Sequence, residues 1–209
     1  MKLEIVKPED IEKRSMEIIT SELNGRTLPE PQFSILKRCI HTSADFDYYD
    51  NLTFSENAAQ IGIKAIREGA HIVTDTKMAA AGINKGKLKQ YGGEVHCFIS
   101  DDDVVEEAKK EGCTRATISM RKGAKLKGPV IFAIGNAPTA LVELDRLIRE
   151  EGLRPALIIG VPVGFVNVVE SKELIMKAGI PYIVARGRKG GSNIAATICN
   201  AMIYWKGEI

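Results

Sequence analysis

The chain has 209 residues, of which 44% are hydrophobic and 27% are charged, and its formal net charge is +2. This size and composition predict one soluble globular domain spanning residues 1–209, with a core that needs no disulfide or metal for stability. No apolar run approaches the roughly 20 residues of a membrane span, and the charged start MKLEIVKPEDIEKR is unlike a signal peptide. We therefore predict a cytoplasmic protein that has no membrane partner.

Composition also argues against two other kinds of site. The near-neutral total charge and an aromatic content of 6% disfavour a nucleic-acid partner. The four cysteines are scattered without a CxxC pair and are predicted to be buried and reduced. The three histidines, His41, His71 and His96, form no i, i+4 pair and no HExxH motif, so we predict no metal site.

Two helices are predicted first, over residues 8–25 and 31–42. Pro8 suits a first helical position, and several isoleucines between Ile11 and Leu23 share one face. The second helix is amphipathic and leads directly to the first of the three histidines. These segments precede the strands, so the fold should begin with N-terminal helices.

His41 is the titratable side chain that stands out in this region, because it ends the second amphipathic run. If that helix continues, Asp45 lies at i+4, where its carboxylate would raise the pKa of the imidazole. Histidine can donate a proton near neutral pH, although a single histidine at a helix end is more often structural. By the same reasoning, Ser15 in the first helix is an ordinary surface or capping serine.

Five short β-rich runs follow, and three of them are almost continuously apolar, as in strands covered on both faces. They are His71–Asp75, Glu94–Ile99, Pro129–Ile134, Ala156–Val161 and Pro181–Ala185. Segments with helical spacing alternate with them, which predicts parallel βαβ units. The predicted fold is therefore α/β: a three-layer αβα domain with a doubly wound, mostly parallel sheet of about five strands, flavodoxin-like in its arrangement.

Glycine-rich loops follow the predicted strands at the sheet edge where such folds bind ligands. They occupy residues 74–78, 135–139, 160–167 and 186–192. Glycine lets backbone N–H groups approach a ligand, and the N-termini of the following helices favour anions. None of these loops contains GxxxxGK[ST] or GxGxxG, which argues against a nucleotide-dependent oxidoreductase.

Basic residues cluster in two places. Residues 112–130 contain no acidic side chain but five basic ones, Arg115, Arg121, Lys122, Lys125 and Lys127. A second cluster, Arg186, Arg188 and Lys189, lies among glycines. The ordinary interpretation is two solvated faces. The alternative is a binding site for a ligand that carries several carboxylates.

Together these segments resemble the precorrin-8X methylmutase family, including its cobalt-precorrin-8 form, along nearly the whole chain. The matching motifs are IEKRS (11–15), IHT (40–42), TDTKM (74–78), TR (114–115), GNAPTAL (135–141), PVGFVN (162–167) with ESK (170–172), and RGR (186–188) with GGS (190–192). The motifs GNAPTAL and PVGFV…ESK, in this order and at this spacing, are the most specific.

The resemblance implies an isomerase of cobalamin biosynthesis that moves a ring methyl group from carbon 11 to carbon 12 of precorrin-8 or cobalt-precorrin-8. It further implies a homodimer with its active site near the subunit interface and no organic cofactor. The catalytic histidine of the family falls on His41. The substrate-binding positions that we carry over are Ser15, Thr76, Arg115, Arg186, Arg188 and Ser192. Whether the substrate contains cobalt, and which cation meets which carboxylate, stay open at this point.

A sigmatropic methyl shift needs no nucleophile and no redox partner, in keeping with the motifs that the sequence lacks. It needs a ring held in one shape and a nearby acid, for which a histidinium is suited. A non-catalytic binding or carrier protein for an acidic tetrapyrrole would need the same pocket and arginines but not His41. Turnover by a His41→Ala variant separates these two interpretations.

Overall fold

A six-stranded sheet forms the middle layer of the computed structural model, which describes residues 5–208. The strands are Leu52–Phe54 (β1), His71–Thr74 (β2), Val95–His96 (β3), Val130–Ile134 (β4), Leu157–Gly160 (β5) and Tyr182–Ala185 (β6). Every residue of β4 and β5 is buried, as expected for apolar runs covered on both faces.

Helices cover both faces of this sheet. After a short 3-10 helix at Pro8–Asp10 they are Ile11–Glu22 (α1), Gln32–Ser43 (α2), Tyr48–Asn51 (α3), Ala58–Arg67 (α4), Lys77–Gly82 (α5), Lys85–Lys89 (α6), Asp102–Glu111 (α7), Arg115–Gly123 (α8), Pro138–Glu150 (α9), Val168–Met176 (α10) and Ser192–Ile203 (α11). The two predicted N-terminal helices are confirmed. The longest described helix, α9, has 13 residues, so no helix in this part of the chain could cross a membrane.

Side chains alternate between the two faces along each strand and so build two cores. Ile131 and Ala133 of β4 pack with α2, α4 and α11 on one face of the sheet. Phe132 and Ile134 point to the other face and pack with α8, α9 and α10. The three predicted layers are therefore present, with the N-terminal helices in the same layer as α11.

The strand order is β1-β6-β5-β4-β2-β3, and all neighbours are parallel except β1, which runs antiparallel to β6. Numbered among themselves, the five parallel strands follow the flavodoxin-like order. The predicted fold class and parallel pairing are therefore confirmed. In this order, β2, β4, β5 and β6 end at the same edge of the sheet, which we call the carboxyl edge.

Two strands differ from the sequence prediction: one is additional and the other is shorter. Strand β1 is absent from that prediction, because its three residues are too few to show a period. It pairs with β6 through Phe54 and Ile183, and the Ser55 N–H extends the pairing by donating to the Tyr182 carbonyl at 3.0 Å. Strand β3 covers only two residues of the predicted run, because Phe98 and Ile99 leave the strand and pack against the α8–α10 core.

Candidate active site at the carboxyl edge

Asp75 joins two loops of the carboxyl edge. Its Oδ1 accepts the N–H of Gly135 at 2.8 Å, and its Oδ2 accepts the N–H groups of Asn136 and Ala137 at 2.8 and 2.6 Å. Burial raises the pKa of Asp75, whereas the three N–H donors favour the carboxylate and oppose that rise. The loops after β2 and β4 are thus fixed to each other. Asp75 is missing from the predicted site residues, although an acidic residue directly after an apolar strand is a sequence signal for this role.

Thr76 and Ser192, two predicted substrate-binding residues, lie together. The Thr76 Oγ1 caps α5 by accepting the Ala79 N–H at 3.1 Å, and it lies 2.7 Å from the Ser192 Oγ. Gly135 approaches the start of α11 so closely that a Cβ there would lie 2.6 Å from the Ser192 Cα. Both hydroxyls are therefore already engaged in holding three loops in register.

Arg115 begins α8 beside this arrangement. Thr114 caps the helix by accepting the Thr117 N–H at 3.2 Å, and its hydroxyl lies 2.8 Å from that of Thr139. Arg115 is exposed, and it makes no hydrogen bond or ion pair within residues 5–208. Together with Thr76 and Asn136 it lines a cleft of about 610 Å³. The guanidinium is therefore available to a carboxylate ligand.

Other basic side chains of the same stretch already have partners. The Arg121 Nε lies 2.8 Å from the Glu143 Oε1, and its Nη1 lies 2.6 Å from the Glu111 Oε2. The Lys122 Nζ contacts the carboxylates of Asp101 and Asp103 at 2.8 and 2.7 Å. Hydrogen bonds to these carboxylates raise the pKa of Arg121 and of Lys122. The basic stretch is therefore open at Arg115 and neutralised at Arg121 and Lys122.

His41 lies in the last turn of α2, where it shares a cavity of about 210 Å³ with Ser15 of α1. Apolar side chains, among them Ile40 and Phe46, form much of its wall. The Ser15 hydroxyl donates to the Ile11 carbonyl at 3.0 Å. The exposed His41 ring makes no hydrogen bond or ion pair with the described residues. The structure thus brings His41 and Ser15 together, in a different pocket from Arg115.

The helix does not continue from His41 to Asp45, so the condition for an i+4 carboxylate beside His41 is not met. Helix α2 ends at Ser43, and Ala44 has a left-handed φ of 52° that turns the chain. The Asp45 Oδ2 instead accepts a hydrogen bond from the Lys189 Nζ at 2.6 Å, which holds the pKa of that carboxyl below its usual value. Lys189 also contacts Asp47 at 2.6 Å. Asp45 therefore ties the end of α2 to the loop after β6.

Lys172 supports that loop from inside the protein. Its side chain is fully buried on α10, and its Nζ donates to the carbonyls of Gly187 and Lys189, both at 2.8 Å. Burial without a carboxylate partner lowers the pKa of Lys172 to about 8. The ESK motif thus contains a residue whose role is to shape the 186–192 loop.

The two arginines of this loop differ. The Arg186 guanidinium bonds to the Glu173 Oε1 at 3.0 and 3.2 Å, so a carboxylate already occupies it. The Arg188 guanidinium lies 5.2 Å from the centre of the Phe165 ring and has no ion pair among residues 5–208. Of these two predicted contacts, Arg188 is open to a ligand, and Arg186 would have to exchange partners.

These features define a class of protein: an α/β fold with arginines at the carboxyl edge of its parallel sheet that are unpaired in the described chain, and a histidine in a separate cavity between α1 and α2. Within residues 5–208, one set of side chains is spaced for a metal ion, and it contains none of these residues. The family model for precorrin-8X methylmutase matches residues 10–205. The chain belongs to the precorrin-8X methylmutase family, whose members are isomerases.

Similar proteins cover almost the whole chain. The cobalt-precorrin-8 methylmutase of Priestia megaterium is 49% identical over 94% of this chain and 88% of that protein. That of Methanocaldococcus jannaschii is 43% identical over 96% and 91%, and the precorrin-8X methylmutase of Pseudomonas aeruginosa is 37% identical over 92% and 93%. The solved precorrin-8X methyl mutase of Thermus thermophilus superposes with a TM-score of 0.84 at 38% identity, covering 93% of this chain and 96% of that one.

Proposed function

We propose that the chain moves the methyl group on ring carbon 11 of cobalt-precorrin-8 to carbon 12, a 1,5-sigmatropic shift that gives cobyrinate in cobalamin biosynthesis. The relatives from Priestia megaterium and Methanocaldococcus jannaschii, both above 40% identity, carry the cobalt-precorrin-8 name, whereas the one at 37% is named for precorrin-8X. The names of the more similar relatives favour the cobalt form over the metal-free one, and two more distant relatives, at 34% and 32% identity, carry the cobalt name as well. A cytoplasmic location and the lack of an organic cofactor stay predictions.

The observation that carries the proposal is the shared cavity of His41 and Ser15, with an imidazole that no described residue engages. As the imidazolium, His41 donates a proton or a strong hydrogen bond to a ring nitrogen beside the migrating centre. This withdraws electron density from the ring and lowers the barrier to methyl migration. Because the reaction is an isomerisation, the proton returns to His41 and no group is consumed.

The peripheral carboxylates of the substrate bind at the open cations of the carboxyl edge. Arg115 and Arg188 are the two arginines of the predicted set without an ion pair in the described chain. Each charge-assisted hydrogen bond contributes on the order of 1.5–3 kcal/mol. The contact between the hydroxyls of Thr76 and Ser192 holds the end of the 186–192 loop that carries Arg188. Arg186 joins these contacts if the Glu173 carboxylate releases it.

Turnover by His41 variants tests the catalytic assignment. General acid catalysis is typically worth about 10²–10⁴-fold, so His41→Ala should lose at least ~100-fold in turnover and still bind product. His41→Asn should lose as much, because an amide can donate a hydrogen bond but cannot transfer a proton.

His71→Ala is the matched control, because it removes a histidine that lies outside both pockets. It should keep the parent turnover. If His41→Ala also turns over within a few-fold of the parent, proton donation is wrong and the enzyme works by shaping the ring. A parent that binds both ring forms without converting either would support the carrier alternative.

The choice of substrate has its own test. The purified chain is incubated separately with cobalt-precorrin-8 and with metal-free precorrin-8, and the ultraviolet–visible spectrum is followed. We expect faster conversion of the cobalt form. Preference for the metal-free form would reverse the substrate assignment and leave the reaction type unchanged.

We also propose that the chain is a homodimer. Four apolar side chains are exposed near the carboxyl edge: Met78, Val163, Phe165 and Val166, with relative exposures from 47 to 80%. Three of the four lie on one loop, and a group of large exposed apolar side chains suits a subunit interface. Sedimentation at micromolar concentration should give the dimer mass, and Val166→Glu should shift it toward monomer. Val142→Glu, at an exposed position of α9, is the control that should stay dimeric.

A further inference from the structure

Two histidines of strands β2 and β3 meet a glutamate that directly precedes β3, outside both pockets of the candidate active site. The His71 Nδ1 lies 3.3 Å from the His96 Nε2, and the Glu94 Oε2 lies 3.9 Å from the same His96 nitrogen. All three ligand atoms lie within 4.8 Å of one another. Their positions in the chain hide this proximity, because the contact is made across two strands.

The spacing fits a small divalent ion. In tetrahedral zinc sites the metal–nitrogen and metal–oxygen bonds are about 2.0–2.2 Å, which places neighbouring ligand atoms roughly 3.3–3.6 Å apart. The His71–His96 distance already has this value, and the carboxylate of Glu94 needs only a change of rotamer. Glu94 is 65% exposed at its side chain, so that change meets little resistance, and a fourth ligand can come from water.

The surroundings keep the histidines ready to bind. His96 stacks on Phe98 with ring centres 5.6 Å apart, which fixes the orientation of its imidazole. The nearby Lys122 is occupied by Asp101 and Asp103.

We propose that His71, Glu94 and His96 bind one divalent metal ion of the late first-row transition series. Zn²⁺ is the ion with which the site is tested. Two imidazole nitrogens and one carboxylate oxygen are a donor set that Zn²⁺, Co²⁺, Ni²⁺ and Cu²⁺ accept. The site is separate from the proposed methyl migration, which uses none of its three residues, so either proposal can fail without the other.

The bound ion would join β3 to β2. Strand β3 has two residues and stands at the edge of the sheet, so it is held by few ladder hydrogen bonds. The His96 carbonyl also accepts the Thr74 hydroxyl at 3.3 Å, and Thr74 ends β2 just before the Asp75 loop. A metal at His96 therefore stabilises the strand next to the site and makes no contact with the substrate.

Metal titration of the chelator-treated full chain tests the proposal. Isothermal titration with Zn²⁺ should show one equivalent bound, and Co²⁺ should give the visible absorption of a low-coordinate site. At a free Zn²⁺ concentration of 100 times Kd, the thermal unfolding midpoint should rise by roughly 5 °C or more. More than one equivalent of equal affinity, or no rise of the midpoint, would overturn the site.

Variants assign the ligands. His71→Ala, His96→Ala and Glu94→Gln should each weaken Zn²⁺ binding at least tenfold, because each removes one of three protein ligands. Glu94→Gln keeps the shape of an exposed side chain, so its result holds even if a histidine variant folds poorly. His41→Ala removes the remaining histidine and should bind Zn²⁺ like the parent. Parent-like affinity in Glu94→Gln together with His96→Ala would show adventitious binding and reject the proposal.

Discussion

The two ends of helix α8 carry basic side chains that differ in whether acidic residues pair with them. At its first residue, Arg115 faces a cleft and has no partner among residues 5–208. Near its last turn, Arg121 is held by Glu111 and Glu143, and Lys122 by Asp101 and Asp103. A run of basic residues therefore does not define a binding site. The availability of each charge depends on which acidic residues the fold brings beside it.

The acidic residues explain why the carboxyl edge stays cationic. On the α7–α9 side, glutamates and aspartates face the basic residues and neutralise them. At the carboxyl edge, Asp75 accepts three backbone N–H groups, and Asp45 is bound to Lys189. Their charges are used within loops, so Arg115 and Arg188 have no carboxylate of their own to bind. The number of unpaired cations at this edge therefore depends as much on where the acidic residues lie as on how many basic residues there are.

The largest expected effect comes from removing the Asp75 carboxylate. Asp75→Asn keeps the shape but turns an NH₂ group toward N–H donors, leaving one or two of them unmet at about 1–3 kcal/mol each. We expect the free energy of unfolding to fall by about 2–5 kcal/mol in urea denaturation. Asp50→Asn, an exposed acid paired with Arg26, is the control and should cost less than about 1 kcal/mol. Equal effects of the two changes would contradict the role given to Asp75.

The next largest effects are opposite changes in binding and stability when the two ends of α8 are altered. Arg115→Ala should weaken product binding roughly tenfold or more and leave the unfolding free energy nearly unchanged. Arg121→Ala should do the reverse, lowering stability by about 1–2 kcal/mol because buried Glu143 loses one of its two arginine partners. Titration calorimetry and urea denaturation of both variants measure the contrast. Weakened binding in Arg121→Ala alone would move the carboxylate site to that end of the helix.

A smaller effect concerns the pH dependence of stability, on which Lys172 and the buried thiols act in opposite directions. The Lys172 pKa of about 8 lies below the 10.5 of an unfolded lysine, so the unfolded chain binds more protons in that window and stability rises with pH. Burial raises the pKa of Cys39 and Cys199 from 9.0 to about 12, so stability falls once unfolded thiols ionise.

We therefore expect maximal stability near pH 9, with slopes of at most about 1.4 kcal/mol per pH unit for each group. Urea denaturation between pH 7.5 and 10 measures the profile. Lys172→Met should lose the rise below pH 9, and Cys39→Ala should lose part of the fall above it. A rise that persists in Lys172→Met would assign it to another group.

The smallest effect is at Arg186. Its ion pair with half-buried Glu173, in which Arg186 itself is exposed, is worth about 0.2–1 kcal/mol, so Glu173→Gln should free the guanidinium and tighten product binding by up to about fivefold. Glu170→Gln, on the same helix, is the control and should change little. Unchanged affinity in Glu173→Gln would remove Arg186 from the substrate contacts.

Much of this architecture could be predicted from the sequence, because the parallel strands are apolar runs and the helices carry an apolar stripe. The features that could not be predicted from the sequence depend on single residues and their contacts. The left-handed turn at Ala44 directs Asp45 away from His41, and no local sequence pattern predicts a left-handed conformation for a residue other than glycine here. The pairing of His71 with His96 depends on strand register, which a search for helical spacing cannot detect. The partners of Arg121 come from two other helices.

The close approach at Gly135 bears on how relatives of this chain are recognised. Any side chain there would collide with the backbone that begins α11, so only glycine permits this packing. The requirement comes from the meeting of a loop and a helix, and it would persist in a descendant that had lost its chemistry. The first position of GNAPTAL is thus a signature of architecture, whereas under the proposed mechanism a change at His41 would mark a relative that no longer catalyses.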